Sequence, residues 1–167
     1  MANESKKGGL GETVRTIVYA VLIALGIRTI AFEPFNIPSE SMLPNLLVGD
    51  YLFVSKYSYG YSRYSLPLGV GLFSGRVLFR PPHRGDVAVF KLPRDNSTDY
   101  IKRIVGLPGD RVQMRGGQLF LNGEPVRRDR IEDYRHVNRN GSVLSVPQYR
   151  ETLPGGVSYR TLDIQAG

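Results

Sequence analysis

The sequence predicts a mainly β protein in which a single N-terminal transmembrane helix is followed by a β-rich domain. Three observations support this fold class: an apolar stretch near the N-terminus, short runs of strand-forming residues after it, and Pro and Gly residues between those runs. The chain has 167 residues, enough for one ordinary soluble domain once the apolar stretch is set aside. We therefore expect a tail over residues 1–12, a membrane helix over 13–33 and a domain over 34–167.

The predicted membrane helix is the most apolar segment of the chain. Residues 17–27 carry no charge, and the stretch 13–32 has the roughly 20 residues that a helix needs to cross a bilayer. Arg15 and Arg28 lie near its ends, where long basic side chains reach the lipid headgroups. A cleavable signal peptide and a buried core helix are the alternatives, and the lack of a small-x-small tripeptide after the run argues against the first.

Basic residues before the helix predict its orientation. Lys6, Lys7 and Arg15 lie on the N-terminal side of the apolar run, and the positive-inside rule puts such residues in the cytoplasm. Arg28, at the other end, weakens this bias. We expect a cytoplasmic tail over residues 1–12 and a domain on the outer side of the membrane.

Four segments after the helix have the composition of β-strands. They are rich in Val, Ile, Leu, Phe and Tyr, and they cover residues 87–90, 100–105, 111–114 and 118–121. The pairs Gly116-Gly117 and Asn122-Gly123 flank the last of these segments, and both pairs tolerate the positive φ angles of tight turns. The sequence thus predicts a hairpin at the first pair and a turn at the second.

Two further segments are predicted to be irregular. Residues 59–79 are apolar but too often interrupted by Gly and Pro for a second membrane helix. They form either a loop packed on the domain or a contact with the membrane surface. Residues 127–150 are rich in Arg, and we expect them to form a solvated, loop-like segment.

Composition narrows the possible chemistry. With 22 basic and 15 acidic residues the net charge is +7, which suits nucleic acid, an anionic membrane surface or an acidic partner. No module with basic residues between stacking aromatics is recognisable, so we expect no nucleic-acid partner. The chain has no Cys and only two His, His83 and His136, and we expect neither a metal site nor another cofactor.

A candidate general base lies in the predicted strand over residues 100–105. Neither histidine is well placed for a Ser-His-Asp triad, but lysine replaces histidine where burial beside apolar neighbours lowers its pKa. Strand alternation puts Lys102 on one face with Tyr100 and Ile104, and Arg103 on the other. Arginine does not deprotonate in proteins, so Lys102 is the candidate base. The alternative is an edge strand whose two cations both reach solvent.

The matching nucleophile candidate is a serine in a turn between Pro38 and Pro44. Ser39 and Ser41 are separated by one residue, so one hydroxyl can act as the nucleophile while the other donates to a developing oxyanion. Ser-x-Ser between prolines is also a common turn sequence, so the motif by itself leaves a purely structural role open.

Three motifs follow the apolar stretch in a fixed order. They are Pro-Ser-Glu-Ser-Met-Leu-Pro at 38–44 within a matching segment 32–50, Arg-Gly-Asp-Val-Ala-Val-Phe at 84–90, and Tyr-Ile-Lys-Arg-Ile-Val-Gly-Leu-Pro-Gly-Asp at 100–110. Together they resemble the bacterial type I signal peptidase family, membrane-anchored enzymes that remove signal peptides from exported proteins. The resemblance covers roughly residues 14–125, and three motifs in order are far more specific than one.

The resemblance implies a serine endopeptidase in which Ser41 is the nucleophile and Lys102 the general base. The Ser39 hydroxyl and the Ser41 backbone N–H would form the oxyanion hole. Matching family positions imply shallow apolar pockets for small substrate side chains, lined by Phe35, Ile37, Pro38, Met42, Leu46 and Ile101. The implied partners are signal peptides of exported preproteins and the lipid bilayer. The implied location is the bacterial plasma membrane, with the catalytic domain on its outer, periplasmic face.

Two features depart from the family pattern. Glu40 and Asn45 stand where the family more often has Gly and Thr. A later family segment, Gly-Asp-Asn-x-x-x-Ser-x-Asp-Ser-Arg, whose serine orients the catalytic lysine, has no match after Gly123. We therefore expect a catalytic domain that is incomplete at its C-terminus. The alternative function is an impaired or inactive membrane protein that binds signal peptides or a partner.

Overall fold

The structure is a computed structural model that describes residues 9–65, 75–137 and 141–164. Within these ranges one α-helix is followed by fourteen β-strands, which confirms the predicted fold class of an N-terminal apolar helix and a β-rich remainder. Most of the expected tail over 1–12, and the middle of the apolar segment 59–79, lie outside the described residues.

Secondary structure begins with helix α1, which spans Leu10–Ile30. The strands are β1 (Phe32–Asn36), β2 (Tyr51–Ser55), β3 (Tyr61–Ser62), β4 (Arg76–Val77), β5 (Val87–Lys91), β6 (Asp99–Arg103), β7 (Val112–Arg115), β8 (Gln118–Leu121), β9 (Glu124–Pro125), β10 (Arg127–Arg130), β11 (Tyr134–Val137), β12 (Val143–Val146), β13 (Gln148–Thr152) and β14 (Ser158–Leu162). Short 3₁₀ turns lie at Glu40–Met42 and Arg63–Ser65.

Helix α1 is long and apolar enough to cross a membrane, judged by length and composition. It lies slightly earlier than the expected 13–33, because the backbone becomes extended at Phe32, where β1 begins. None of its residues is buried against other parts of the described chain. Its apolar side chains therefore depend on surroundings other than the described protein for their burial.

The chain divides into two compact units. The first contains Met1–Phe35 and Phe53–Arg80, and the second contains Asn36–Leu52 and Pro81–Gly167. Strands β1 and β2, which pair with each other, cross the boundary between the units.

In the first unit, the end of α1 is tied to the segments that follow it. The Tyr61 hydroxyl donates to the Ile30 carbonyl at 2.7 Å, and the Lys56 N–H donates to the Ala31 carbonyl at 3.0 Å. The Lys56 ammonium also lies 3.2 Å from the Glu33 carboxylate. The two hydrogen bonds satisfy the Ile30 and Ala31 carbonyls, which the end of the helix leaves without intrahelical partners.

The second unit is built from small antiparallel sheets. Strands β5 and β6 form one pair and β11 and β12 another, while β7-β8-β9 and β10-β13-β14 form three-stranded sheets. Its hydrophobic core cluster comprises Leu119, Leu121, Val126 and Leu153, with Val105 and Tyr159 packed against it.

The four strands predicted from composition are all present, with ends that differ from the predicted ones by at most two residues. Strand β7 and strand β8 form the predicted hairpin through Gly116-Gly117, and both glycines have positive φ angles. The predicted turn at Asn122-Gly123 joins β8 to β9, also with positive φ angles at both residues. These predictions are confirmed because turn residues and strand composition agree locally.

The prediction of a loop over residues 127–150 is wrong, because strands β10 to β13 occupy most of this segment. Its charged side chains are accommodated by pairing and stacking. Arg127 lies 2.9 Å from Asp129, and the Arg128 guanidinium lies 3.6 Å from the centre of the Tyr149 ring. Such contacts let strongly basic residues occupy strand positions that composition alone assigns to solvent.

Candidate active site

The candidate nucleophile lies in a closed loop of the second unit, residues 37–50, called the Ser41 loop below. Its ends are joined because Ile37 N–H donates to the Asp50 carbonyl at 3.0 Å and Gly49 N–H donates to the Ile37 carbonyl at 2.9 Å. The Asp50 carboxylate accepts a further bond from Leu47 N–H at 2.9 Å. Ile37 is fully buried, while Ser41 stays exposed on the 3₁₀ turn. The loop thus presents a hydroxyl on an anchored backbone.

The candidate base lies on strand β6. Antiparallel pairing with β5 puts Lys102 opposite Ala88, and the neighbouring Ile101 is buried with 3% of its surface exposed. As strand alternation predicts, Lys102 shares a face with Tyr100, and its Nζ lies 5.3 Å from the centre of that ring. Arg103 points the other way and donates to the Gly85 carbonyl at 2.7 Å.

The structure brings Ser39, Ser41 and Lys102 together. Lys102 Nζ donates a hydrogen bond to Ser41 Oγ and a second one, at 2.9 Å, to the Ile101 carbonyl. Ser39 Oγ lies 3.2 Å from Ser41 Oγ, so the two hydroxyls are also hydrogen-bonded. In the part of the chain that the structure describes, no acceptor takes the Ser41 backbone N–H. An amine beside a hydroxyl is the arrangement that proton transfer to form a nucleophile requires.

A cleft of about 490 Å³ opens beside Ser41. It is lined by residues of the Ser41 loop, by Lys102, and by strand β14 with Arg160 and Leu162. Met42 lines this cleft beside Ser41. Ser41 and Lys102 both line this cleft, and a concave site of this kind can hold a substrate.

The remaining residues predicted for substrate pockets lie elsewhere. Ile37 and Ile101 are buried and Pro38 is exposed, and neither these three nor Leu46 is among the residues that line the cleft. Phe35 belongs to the first unit. The structure thus groups Met42 in one cleft with Ser41 and Lys102, called the dyad below. It does not group the other five residues there.

Sequence reasoning missed Tyr159, which lines the cleft, and Glu151, which bonds to it. The Tyr159 ring lies under the Arg103 guanidinium at 4.7 Å, and its hydroxyl donates to the Glu151 carboxylate at 2.9 Å. Burial, together with the negative charge of Glu151, raises the pKa of the Tyr159 phenol, so the phenol stays protonated as a donor. No local signal marks Tyr159 or Glu151, because both lie in strands far along the chain from Lys102 and outside the three motifs.

Metal ligands are not gathered at this site. Across residues 9–65, 75–137 and 141–164, no group of three or more His, Asp or Glu residues is placed to hold a metal ion.

Comparison with known proteins agrees with the motifs. A family model described as signal peptidase, peptidase S26, matches residues 10–159. Proteins named signal peptidase I from Rickettsia conorii and Rickettsia typhi are 38% and 41% identical to the chain over 165 and 146 residues. These alignments cover 95% and 86% of the chain.

The same alignments cover 60% of the Rickettsia conorii protein and 54% of the Rickettsia typhi protein, so the chain spans little more than half the length of these curated relatives. The range matched by the family model nevertheless contains both Ser41 and Lys102 and most of the described strands. The chain belongs to the signal peptidase family, peptidase S26.

Proposed function

We propose that this chain is part of a membrane-bound serine endopeptidase that removes N-terminal signal peptides from exported preproteins. The observation that carries the proposal is the hydrogen bond from Lys102 Nζ to Ser41 Oγ in a chain of the signal peptidase family. A serine hydroxyl is a weak nucleophile until a neighbouring base removes its proton. In the described ranges, Lys102 is the basic side chain that contacts Ser41.

In the proposed reaction, the neutral amine of Lys102 accepts the Ser41 proton while Ser41 Oγ attacks the scissile carbonyl carbon. Negative charge then develops on the carbonyl oxygen, and the Ser39 hydroxyl and Ser41 N–H are the proposed donors to it. The C–N bond breaks, and Lys102 returns the proton to the leaving amine. A water molecule deprotonated by Lys102 finally hydrolyses the ester on Ser41.

The proposed substrates carry small side chains at the first and third positions before the cut. The relatives' name, signal peptidase I, supports signal peptides as the substrate class. An extended peptide would bind by pairing its backbone with a strand edge near Ser41. Of the six residues predicted to line its side-chain pockets, Met42 borders the cleft and would meet these small side chains.

The proposed location is the bacterial plasma membrane, with α1 as a single-pass anchor. The helix has the length and composition of a membrane span, and Lys6, Lys7 and Arg15 favour a cytoplasmic N-terminus. The second unit would then lie on the outer face, where the cleavage site of a translocated signal peptide emerges.

The test uses the full chain in detergent micelles with an exported preprotein as substrate. We expect cleavage by the unmodified chain, and losses of at least about 100-fold in Ser41→Ala and Lys102→Ala. Ser97→Ala, which removes an exposed hydroxyl in the loop between β5 and β6, is the matched control and should cleave normally. Undiminished cleavage by both dyad variants would refute the proposal. Binding of the signal peptide without turnover would favour the inactive binding protein instead.

A further inference from the structure

We propose that Asn45 is a positioning residue that holds the Ser41 loop against strand β14 and so keeps Ser41 within reach of Lys102. The inference rests on the proposed function and deepens it, because it assigns a role to a residue outside the dyad and the oxyanion hole. It is drawn from contacts within the second unit.

The side chain of Asn45 meets both backbone groups of one residue. Asn45 Nδ2 donates to the Arg160 carbonyl at 2.7 Å, and Arg160 N–H donates to Asn45 Oδ1 at 3.2 Å. Because one partner is a donor and the other an acceptor, the amide orientation follows from the contacts themselves. The amide therefore replaces the peptide group of a neighbouring strand.

The register of β14 explains why Arg160 is free to accept this partner. Leu153 N–H bonds the Val157 carbonyl, and Asp163 N–H bonds the Pro147 carbonyl. The backbone groups of Tyr159 and Thr161 therefore hydrogen-bond to β13. Arg160 lies opposite Arg150 in a pair without hydrogen bonds, so its N–H and C=O face the outer edge of β14. Asn45 covers the outer edge of β14 at the position of Arg160.

Few hydrogen bonds hold the Ser41 loop to the remainder of the second unit. In the described part of the chain, the loop side chains that hydrogen-bond residues outside the loop are Ser41, through Lys102, and Asn45, through Arg160. The side chains of Ser39 and Asp50 bond within the loop. The loop's own side chains thus tie it to the rest of the second unit through Ser41 and through Asn45, and Asn36 adds a bond of 3.5 Å to the Gly49 carbonyl.

These two ties behave differently during the proposed reaction. The bond between Ser41 and Lys102 involves the reacting atoms, and acylation weakens it because the ester oxygen on Ser41 is a poorer acceptor than the hydroxyl oxygen. The bonds of Asn45 involve no reacting atom and persist through each step. Since a displacement of about 1 Å can cost about 100-fold in rate, a tie that persists has a direct effect on turnover.

Strand β14 also supports the base. Tyr159, next to Arg160, lies under the guanidinium of Arg103, and Arg103 is adjacent to Lys102. The Tyr159 hydroxyl is held in turn by Glu151 on β13. One strand therefore contacts the Ser41 loop through its edge and β6 through a side chain, which is why fixing the loop to β14 fixes Ser41 relative to Lys102.

The test measures cleavage of a peptide with Ala at the first and third positions before the cut, using the full chain in detergent micelles. For Asn45→Ala we expect kcat to fall at least about tenfold while KM changes less than about threefold, because the loss concerns the reacting atoms. Asn45→Asp keeps an acceptor for Arg160 N–H but loses the donor, and its kcat should fall as well. Asn36→Ala is the matched control, since Asn36 is exposed and, among the described residues, its side chain bonds only the Gly49 carbonyl, at 3.5 Å; its kcat should stay within about twofold.

Amide hydrogen exchange of Arg160 supplies a readout that does not depend on activity. Exchange should accelerate at least about tenfold in Asn45→Ala and remain slow in Asn45→Asp, which retains the acceptor. Unchanged exchange in Asn45→Ala would overturn the contact, and faster exchange with kcat within about twofold would overturn its positioning role.

A failure of the proposed function gives a different pattern. If the unmodified chain does not cleave the peptide, the rate of Ser41 acylation by p-nitrophenyl acetate replaces kcat. A slower acylation in Asn45→Ala together with faster Arg160 exchange supports the positioning role even then. An acylation rate equal to that of the unmodified chain overturns it.

Discussion

Lys102 and Arg103 are adjacent residues of one strand whose side chains have separate environments. The amine of Lys102 reaches Ser41, whereas the guanidinium of Arg103 bonds the Gly85 carbonyl and stacks on Tyr159. The difference follows from the period of two along a strand, which puts neighbours on opposite faces. It also suits their chemistry, because lysine can lose its proton and arginine cannot.

Replacing Lys102 by Arg should separate charge from base function. The variant keeps a cation beside Ser41 but cannot accept a proton, so we expect a loss of at least about 100-fold in single-turnover cleavage. Lys91→Arg is the control, since Lys91 lies on β5 and pairs with Asp99 at 2.9 Å. A Lys102→Arg variant with more than about a tenth of normal activity would show that Lys102 acts as a cation rather than as a base.

Asp110 should make the stability of the second unit depend on acid pH. The Leu107 N–H at 2.6 Å, Asn122 at 2.8 Å and Arg84 at 2.8 Å lower the pKa of Asp110 to about 2. The pKa of Asp in an unfolded chain is about 3.9, so the folded state binds this proton less tightly than the unfolded state. The stabilisation is present above that unfolded pKa and is lost as the pH falls towards about 2.

Asp110→Asn should therefore have a lower urea midpoint than the unmodified chain at pH 7, and the difference should close between about pH 5 and pH 2. Asp99→Asn is the control, because its carboxylate is exposed and its ion pair within the described ranges is with Lys91. A difference between Asp110→Asn and the unmodified chain that stays constant down to about pH 2 would contradict this account.

At the scale of elements, the sequence predicted strands and turns where strand composition and turn residues lie side by side in the chain. The strand at 118–121 and its glycine turns were predicted because apolar composition and turn residues agree. Strands β10 and β13 were missed because they pair with each other across the intervening β11 and β12, with Arg128 lying 3.8 Å from Glu151. The same reason explains the site: Ser41 and Lys102 lie in motifs, but the contact of Asn45 with Arg160 joins segments that no local pattern relates.

Gly85 tests how closely two elements pack, because it precedes β5 and lies against Val157, the residue before β14. Its φ is +96°, and a Cβ there would lie 2.6 Å from Val157 Cγ1. Gly109, with a φ of +91° and no atom within 4 Å of a Cβ, is the matched control for backbone strain alone. We expect Gly85→Ala to lower the free energy of unfolding by about 2–4 kcal/mol and Gly109→Ala by about 1–2 kcal/mol.

Urea denaturation of both variants measures this difference. The double variant Gly85→Ala, Val157→Ala should be more stable than the sum of the two single effects predicts, because the smaller side chain removes the overlap. Equal losses for Gly85→Ala and Gly109→Ala would mean that Val157 does not constrain this position.

At the scale of the whole molecule, the helix and the β-rich remainder are readable from composition, but the grouping into two units is not. Residues 36–52 belong with 81–167, although residues 53–80 intervene in the chain. Such a grouping depends on which distant segments pack together, and strand pairing between distant segments leaves no periodic pattern in sequence. The Ser41 loop is an example, because Asn45 is hydrogen-bonded to Arg160 of β14 although 115 positions separate them.

The orientation of the chain across the membrane is the remaining prediction at this scale. The chain has no cysteine, so a single introduced cysteine reports its own side of the membrane. Gly9 precedes α1 and Glu132 lies in the second unit, and both are exposed. If Lys6, Lys7 and Arg15 keep the N-terminus in the cytoplasm, a membrane-impermeant maleimide added to intact spheroplasts should label Glu132→Cys at once and Gly9→Cys only after permeabilisation. The reverse pattern would place the dyad on the cytoplasmic side, where a translocated cleavage site is not available, and would contradict both the orientation and the proposed function.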